Sequence, residues 1–448
     1  MNYSKGTMKA AFSMALPAMV ESFFVCFAGL VDSLMVSSLG PDAVAAVGLT
    51  SQPKFVGLAI FMAISVALSA LIARRYGQGK RDKANSILFT ALILIISLAI
   101  LLGILLTVFA SPIIKLCGST PETHANATLY YRIIMSCMIF NCVQIGINAM
   151  QRGAGNTNIT MRTNVTSNTV NIIGNYLLIG GKLGFPALGI SGAAIATVFG
   201  SVVACTMSIL SILKKDCFIS IPYIIENKIR PGIESLLNII KVGYSVFLEQ
   251  LLMRVGFMAT AIMAAKQGTE SMAAHQVCMH IMSLSFAFGD GLQHAAVALI
   301  GRSLGEKKPD NARAYGSACQ TIGGIISVIL SIIYLLSSKW IMALFFKDAA
   351  DIIHIGVSVM YVVIVTVLFQ IRQCIYMGIL RGAGDTRYTA FAAAFSVTIT
   401  RTAFSYICCY ILGWGLVGVW MGILSDQITR FIMGGLRFRQ GKWVNIKI

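Results

Sequence analysis

Long apolar runs separated by short polar stretches dominate the chain from end to end. Charge-poor runs cover 11–38, 52–73, 86–110, 128–151, 158–180, 189–213, 236–265, 274–300, 316–346, 355–379, 388–411 and 416–436. A helix needs about 20 apolar residues to cross a bilayer. Continuous runs of that length satisfy their own backbone as helices, whereas barrel strands alternate over about ten residues. The pattern therefore predicts an all-α integral membrane protein with twelve transmembrane helices. The run after Lys9 is too long for a signal peptide and lacks a small-residue cleavage site, so helix 1 is expected to stay as a span.

Composition agrees, with 57% hydrophobic and 12% charged residues in 448. The net charge of +18 would suit nucleic acid, but the basic residues gather in loops on one side of the predicted topology. "RRYGQGKRDK" at 74–83, the lysine pair at 214–215 and the tail from Arg437 are the main clusters. Such a bias sets orientation and contacts anionic lipid. It places both termini in the cytoplasm and the chain in the cell membrane, and it argues against nucleic acid as a partner. The 11 cysteines lie mostly inside spans, and no CxxC or Cys/His metal spacing occurs. Neither a disulfide framework nor a structural metal is expected.

The chain also repeats itself. "QRGAGNTN" at 151–158 returns as "LRGAGDTR" at 380–387, with Arg152 and Arg381 separated by 229 positions. At an offset of 228, Gly40 meets Gly268, Gly77 meets Gly305 and Asp82 meets Asp310. Two six-helix halves follow: a lobe over 1–213, a cytoplasmic linker over 214–235, a lobe over 236–436, and a tail over 437–448. Six helices per half makes the repeats parallel, as in transporters built from two bundles around a central site. Each RGAG segment closes the turn from helix 4 to helix 5 of its half, either as a cytoplasmic hinge whose arginine meets acidic groups or lipid, or as a simple helix-ending turn. No strand precedes it and no GK[ST] follows, which excludes a phosphate loop.

Ionisable residues inside spans mark functional candidates, because each costs several kcal/mol to bury in lipid. Glu21 and Asp32 are 11 residues apart on helix 1, on one face and about 16 Å apart. Glu21 and Glu249 are repeat mates, which suggests a pair facing one another across the central cleft. Asn164, Asn168, Asn171 and Asn175 form a stripe on helix 5, and Asn141, Gln144 and Asn148 another on helix 4. These amides either glue helices together or line a wet ion pocket beside Asp32. The second half carries Arg254, Asp290, His294, Arg372 and Arg401. Asp290 and His294, at i and i+4, suit a proton relay or a structural ion pair. Asp426 and Arg430 share that spacing and suit a salt bridge.

The doubled RGAG[ND]T, "GLVDSLMVSSLGPDAVAAVG" in helix 1 and its loop, "EQLLMRVG" in helix 7, and "LGFPALGISGAAIAT" entering helix 6 closely resemble the multidrug and toxic compound extrusion (MATE) transporters, the bacterial DinF-like branch most of all. The resemblance spans essentially the whole chain. It implies two pseudo-twofold-related six-helix bundles forming a V around a cavity, and export of cationic or amphipathic organic compounds against inward H+ or Na+. Asp32 occupies the place of the family's helix 1 coupling aspartate, and Glu249 that of a helix 7 glutamate. Two departures stand out: helix 5 offers Asn171 and Asn175 where relatives have Asn-x-x-x-Asp, and Gln370 stands where the NorM-like branch has an acid.

The resulting expectation is an antiporter, not an enzyme. Asp32, with Asn148, Asn168, Asn171 and Asn175, handles the coupling ion, Na+ included. Glu21, Glu249, Gln370, Met253 and Tyr376 contact organic cations or drugs, with Asp290, His294 and Arg401 as further candidates. No cofactor and no obligate protein partner is expected, and the chain is read as a monomer among membrane lipids. A flippase for lipid-linked sugars is the alternative that Arg254, Arg372 and Arg401 keep open. An integral-membrane enzyme would have only His275 and His280 to work with, and their spacing does not share a ligand face.

Overall fold

The computed structural model of the chain describes residues 4–346 and 350–446. These residues are helical throughout, apart from turns and short connections. The first half contains α1 (Lys5–Ser37), α2 (Pro41–Gly77), α3 (Arg81–Val108), a short α4 (Ala110–Leu116), the pair α5 (Pro121–Ser136) and α6 (Met138–Gly153), α7 (Thr157–Leu178) and α8 (Gly189–Ile212). After α9 (Ile221–Glu226) follow α10 (Ile233–Ala265), α11 (Thr269–Gly305), α12 (Pro309–Phe346) and α13 (Ala350–Ala383). A composite helix then joins α14 (Thr386–Ala394) and α15 (Thr402–Tyr406) through π-helical turns at Phe395–Arg401 and Ile407–Ile411, and α16 (Gly415–Gln440) closes the series.

All twelve predicted runs fall on helix. Among the described residues, eight helices are long and apolar enough to cross a membrane, and the bent pair α5/α6 makes nine. The remaining three, α7, α11 and α16, are long enough but more polar, as helices sheltered by protein rather than lipid can be. The architecture is an all-α, twelve-span membrane fold.

Its internal repeat is visible in the backbone. α1 and α10 have 33 residues each and α2 and α11 have 37 each, all at the offset of 228. Gly40 and Gly268, which precede α2 and α11, share φ of 100° and 103°. The halves diverge where α5 and α6 bend by 49° at their break, while α13 runs unbroken for 34 residues. The predicted run over 128–151 is thus two helices. The stretch over 214–235 also differs from a plain linker, since it contains α9 and the start of α10. Arg81 ties it down by donating to the carbonyls of Lys215 (2.8 Å) and Cys217 (2.7 Å) and stacking over Tyr223.

Both RGAG segments do two jobs. A Cβ on Gly153 would lie 2.5 Å from the Ser69 carbonyl oxygen, and one on Gly382 would lie 2.6 Å from that of Val297. The first glycine therefore lets one helix seat directly on another's backbone, as small residues do in membranes. The second, Gly155 or Gly384, turns the chain with φ of 88° or 90°, a conformation cheap only for glycine.

Contacts divide the chain into two compact units, residues 23–243 (here the amino-terminal unit) and residues 1–22 with 244–448 (the carboxyl-terminal unit). These boundaries differ from those of the sequence halves. α1 passes from one unit to the other at Ser22/Phe23 and α10 at Gly243/Tyr244. In the amino-terminal unit, α7 packs on α8 and α6 on α2; in the carboxyl-terminal unit, α13 is central, packed by α11, α12 and α16.

Candidate ion and cargo sites

In the amino-terminal unit, Asp32 on α1 is gripped by amides of α7. Asn175 Nδ2 donates to Asp32 Oδ1 at 2.6 Å. The amide of Asn171, one turn away, is oriented by its neighbours. With its nitrogen toward Asp32 it donates to both carboxylate oxygens, at 2.7 and 3.1 Å, while its oxygen accepts from the Thr197 backbone N–H at 3.1 Å. Turned by 180°, the amide would reach Thr197 Oγ1 at 3.2 Å through its nitrogen, but that nitrogen would face the Thr197 backbone N–H and the oxygen would face the carboxylate, so the first orientation is the satisfied one. Two residues four apart on one helix face meet one carboxylate because the helical period stacks them.

Two groups complete the surroundings that the hydrophobic pattern does not disclose. Lys54 on α2 interacts electrostatically with Asp32. Tyr130 on α5 also lies within electrostatic reach of Asp32. Lys54 follows Pro53 at the start of an apolar run, and a lone lysine there was the available signal. Asn148 and Asn168 do not join the grip. Asn148 accepts from Ser208 at 3.0 Å on α8, a structural bond between helices, while Asn168 makes no hydrogen bond to Asp32 among the described residues. Gln144 likewise donates to Asn164 at 2.6 Å.

The carboxyl-terminal unit holds a network of paired charges. Arg381, the arginine of the second RGAG, donates to Glu249 Oε1 at 2.5 Å, both side chains being buried. The second oxygen, Glu249 Oε2, is buried without a hydrogen-bond partner, as are Gln370 Oε1 and Gln373 Oε1. Asp426 receives Arg401 through Nε at 3.1 Å and also through Nη2, and Arg430 through Nε at 2.8 Å and Nη2 at 3.0 Å. Arg401, at the end of a π-helical turn, also stacks over Phe257. The expected Asp426–Arg430 bridge is thus a triad. Asp290 lies 3.4 Å from His294 and accepts from Ser22 at 3.1 Å. Cys374 on α13 is within electrostatic reach of Arg430, Asp290, Arg381 and Asp426. Three arginines and three carboxylates make the network neutral overall, which is how buried charges become tolerable.

The predicted cargo residues divide. Gln370, Gln373, Met377 and Arg381 share the buried face of α13, whereas Tyr376 lies about 100° round the helix from the middle of that face. There its ring packs against Phe431 and Phe438, with centroids 5.6 and 5.8 Å away. Met253 sits one turn beyond Glu249 on α10 and is half-buried. Glu21 is buried too, and it belongs to the same contact unit as Glu249, not to the opposite lobe as its repeat position suggested.

Comparison with known proteins matches this architecture throughout. A "Probable multidrug resistance protein NorM" of Thermotoga maritima is 27% identical over 97% of this chain and 93% of its own length. The "Uncharacterized transporter YisQ" of Bacillus subtilis is 24% identical over 97% and 94%. A solved structure described as an outward-facing conformation of a multidrug resistance MATE family transporter of the MOP superfamily has the same fold, with a TM-score of 0.90, 24% identity, and coverage of 99% of this chain and 100% of that one. The MatE family pattern matches twice, over residues 17–177 and 245–407, once for each half of the repeat. A doubled MatE domain on a twelve-span fold makes this chain a member of the MATE family of membrane transporters.

Proposed function

We propose that this transporter exports cationic or amphipathic organic compounds across the cell membrane by antiport, through alternating access, with Asp32 as the coupling carboxylate. The observation that carries this reading is the grip of Asn171 and Asn175 on Asp32 inside a spanning unit. The names of the NorM relatives support multidrug cargo.

H+ is the coupling ion this geometry favours over Na+. Three N–H contacts already point at the Asp32 oxygens, and Lys54 adds positive charge nearby; both compete with a metal cation for the same lone pairs. A proton needs only one lone pair of the carboxylate, so it can bind without displacing all of these donors. Cargo is held on the other unit, where Glu249 Oε2 has no partner and a cationic head can supply one. Glu21 adds a second carboxylate, and Gln370 and Met253 the polar and adaptable contacts. No cofactor enters this scheme, the chain works as a monomer, and both termini face the cytoplasm. Of the three arginines that keep the flippase alternative open, Arg401 is committed to Asp426.

The test is ethidium efflux from proteoliposomes under separately imposed H+ and Na+ gradients, with wild type beside Asp32→Asn. Efflux driven by H+ and lost in the variant is expected. Full efflux by folded Asp32→Asn overturns the assignment.

A further inference from the structure

The opposite face of α13 carries a second feature, which the transport reading does not use. A cavity of about 640 Å³ opens between α12, α13 and α16. Gln320, Arg372 and Arg439 line its polar side, and Ile325, Val328 and Ile329 its apolar side. The apolar side is continuous with bare helix surface. Ile325, Val328 and Ile329 are about half exposed, and the stripe goes on through Ile332 and Leu336 at helical spacing, as a surface against acyl chains does.

Arg372 is the anomaly. It lies nine residues before Arg381 on α13, about 13 Å along the helix, within a predicted span. It stacks over Phe431, 4.8 Å from the ring centroid, and its Nε reaches Gln320 Oε1 at 3.5 Å, while Gln320 Nε2 donates to the Arg372 carbonyl at 2.8 Å. Among the described residues no carboxylate pairs with Arg372 or with Arg439, in contrast to the ion-paired Arg381, Arg401 and Arg430 of the same unit. A guanidinium in a span, held in place by an amide and a ring but left without an anion, is costly unless an anion comes from outside.

We infer that the α12/α13/α16 cavity is a binding site for one anionic glycerophospholipid, its phosphodiester held between Arg372 and Arg439 and an acyl chain laid along Ile325, Val328 and Ile329. Guanidinium forks match phosphate oxygens bidentately. The apolar stripe beginning at the same cavity selects a lipid over a free anion. Arg439 stands at the end of α16 from which the basic tail emerges, so the lipid comes from the leaflet that faces the Lys/Arg-rich loops.

The test uses the full-length protein equilibrated in vesicles of equal phosphatidylglycerol and phosphatidylcholine, followed by native mass spectrometry of retained lipid. Wild type is expected to retain one phosphatidylglycerol preferentially. The double variant R372Q/R439Q is expected to lose that preference by about thirtyfold, the factor for two guanidinium contacts at a lipid headgroup, while R302Q, which removes an arginine outside the cavity, keeps it. Val328→Trp leaves every charge in place and fills the acyl seat, so it should also release the lipid, and it serves as the test if the double variant fails to fold. No preference in wild type, full preference in R372Q/R439Q or in Val328→Trp, or displacement of the bound lipid by millimolar inorganic phosphate each overturns the inference.

Discussion

The two ends of the Arg401–Asp426–Arg430 triad are not equivalent, and their inequality can be measured. Asp426 is fully buried and accepts five N–H bonds: two from Arg401, two from Arg430 and one from Gln427. Asp426→Asn leaves two buried guanidiniums against each other with no counter-charge. Removing one partner of a buried pair costs about 3–5 kcal/mol. Arg401→Met has a different outcome. Asp426 keeps three of its five donors and the charge of Arg430, and the methionine fills space beside Phe257. Replacing part of a buried ionic group by a hydrophobe is often close to neutral, so the loss should stay below about 2 kcal/mol. Seven of the 11 cysteines are buried, so labelling by a thiol-reactive dye during SDS titration in mixed micelles reports unfolding directly. Asp426→Asn is expected to lose at least twice the free energy that Arg401→Met loses. A loss from Arg401→Met equal to or greater than that from Asp426→Asn would refute the charge-balance reasoning.

Asn171→Leu removes the amide that donates to both oxygens of Asp32, and one charge-assisted bond is worth about 1.5–3 kcal/mol. Gradient-driven ethidium efflux should fall about tenfold or more, with thiol labelling unchanged; wild-type efflux would exclude the amide from coupling. Glu249→Gln and Arg381→Gln should each destabilise the protein in SDS titration, and E249Q/R381Q should recover part of the loss; strict additivity would mean the pair is not coupled. Gly382→Val and Gly153→Val should abolish monodisperse protein in size-exclusion chromatography, because each places a side chain on a neighbouring carbonyl. Gly29→Ala, with nothing within 4 Å of the new Cβ, should leave the elution profile intact.

Helix positions were legible because hydropathy in a bilayer is a one-dimensional signal, and the repeat was legible because a duplicated chain keeps its offsets. Paired glycines at 40 and 268 and at 155 and 384 could be matched by eye, and they share their backbone angles in space. Asp32 with Asn171 and Asn175 was accessible for a related reason: two helices with polar stripes must bury them somewhere. What stayed hidden depends on contacts between distant segments. The partnership of Arg401 and Asp426 spans 25 positions and relies on π-helical turns, which no propensity announces. Lys54 was absorbed into an apolar run. Tyr376 could have been separated from Gln370 by helical arithmetic alone, since six residues carry a side chain most of the way to the other face of a helix. The bend between α5 and α6 falls at Cys137, with neither proline nor glycine to mark it.

The division of α1 gives the two carboxylates of that helix different surroundings. Glu21 belongs to the carboxyl-terminal unit, beside Ser22, which donates to Asp290. Asp32 belongs to the amino-terminal unit, in the grip of α7. One continuous helix of 33 residues joins them, and a helix transmits displacement along its axis better than a loop, because every residue is tied to its neighbours by backbone hydrogen bonds. Under the proposed mechanism a change of charge at Asp32 changes the hold of α7 on the far end of α1, and the near end is packed against Gly291, where an added Cβ would meet the Met19 backbone at 2.5 Å. Contacts that close leave little slack for small shifts to dissipate. Coupling under the proposed mechanism therefore needs no wire of intermediary side chains, because the two carboxylates assigned there to ion and cargo stand on one continuous helix.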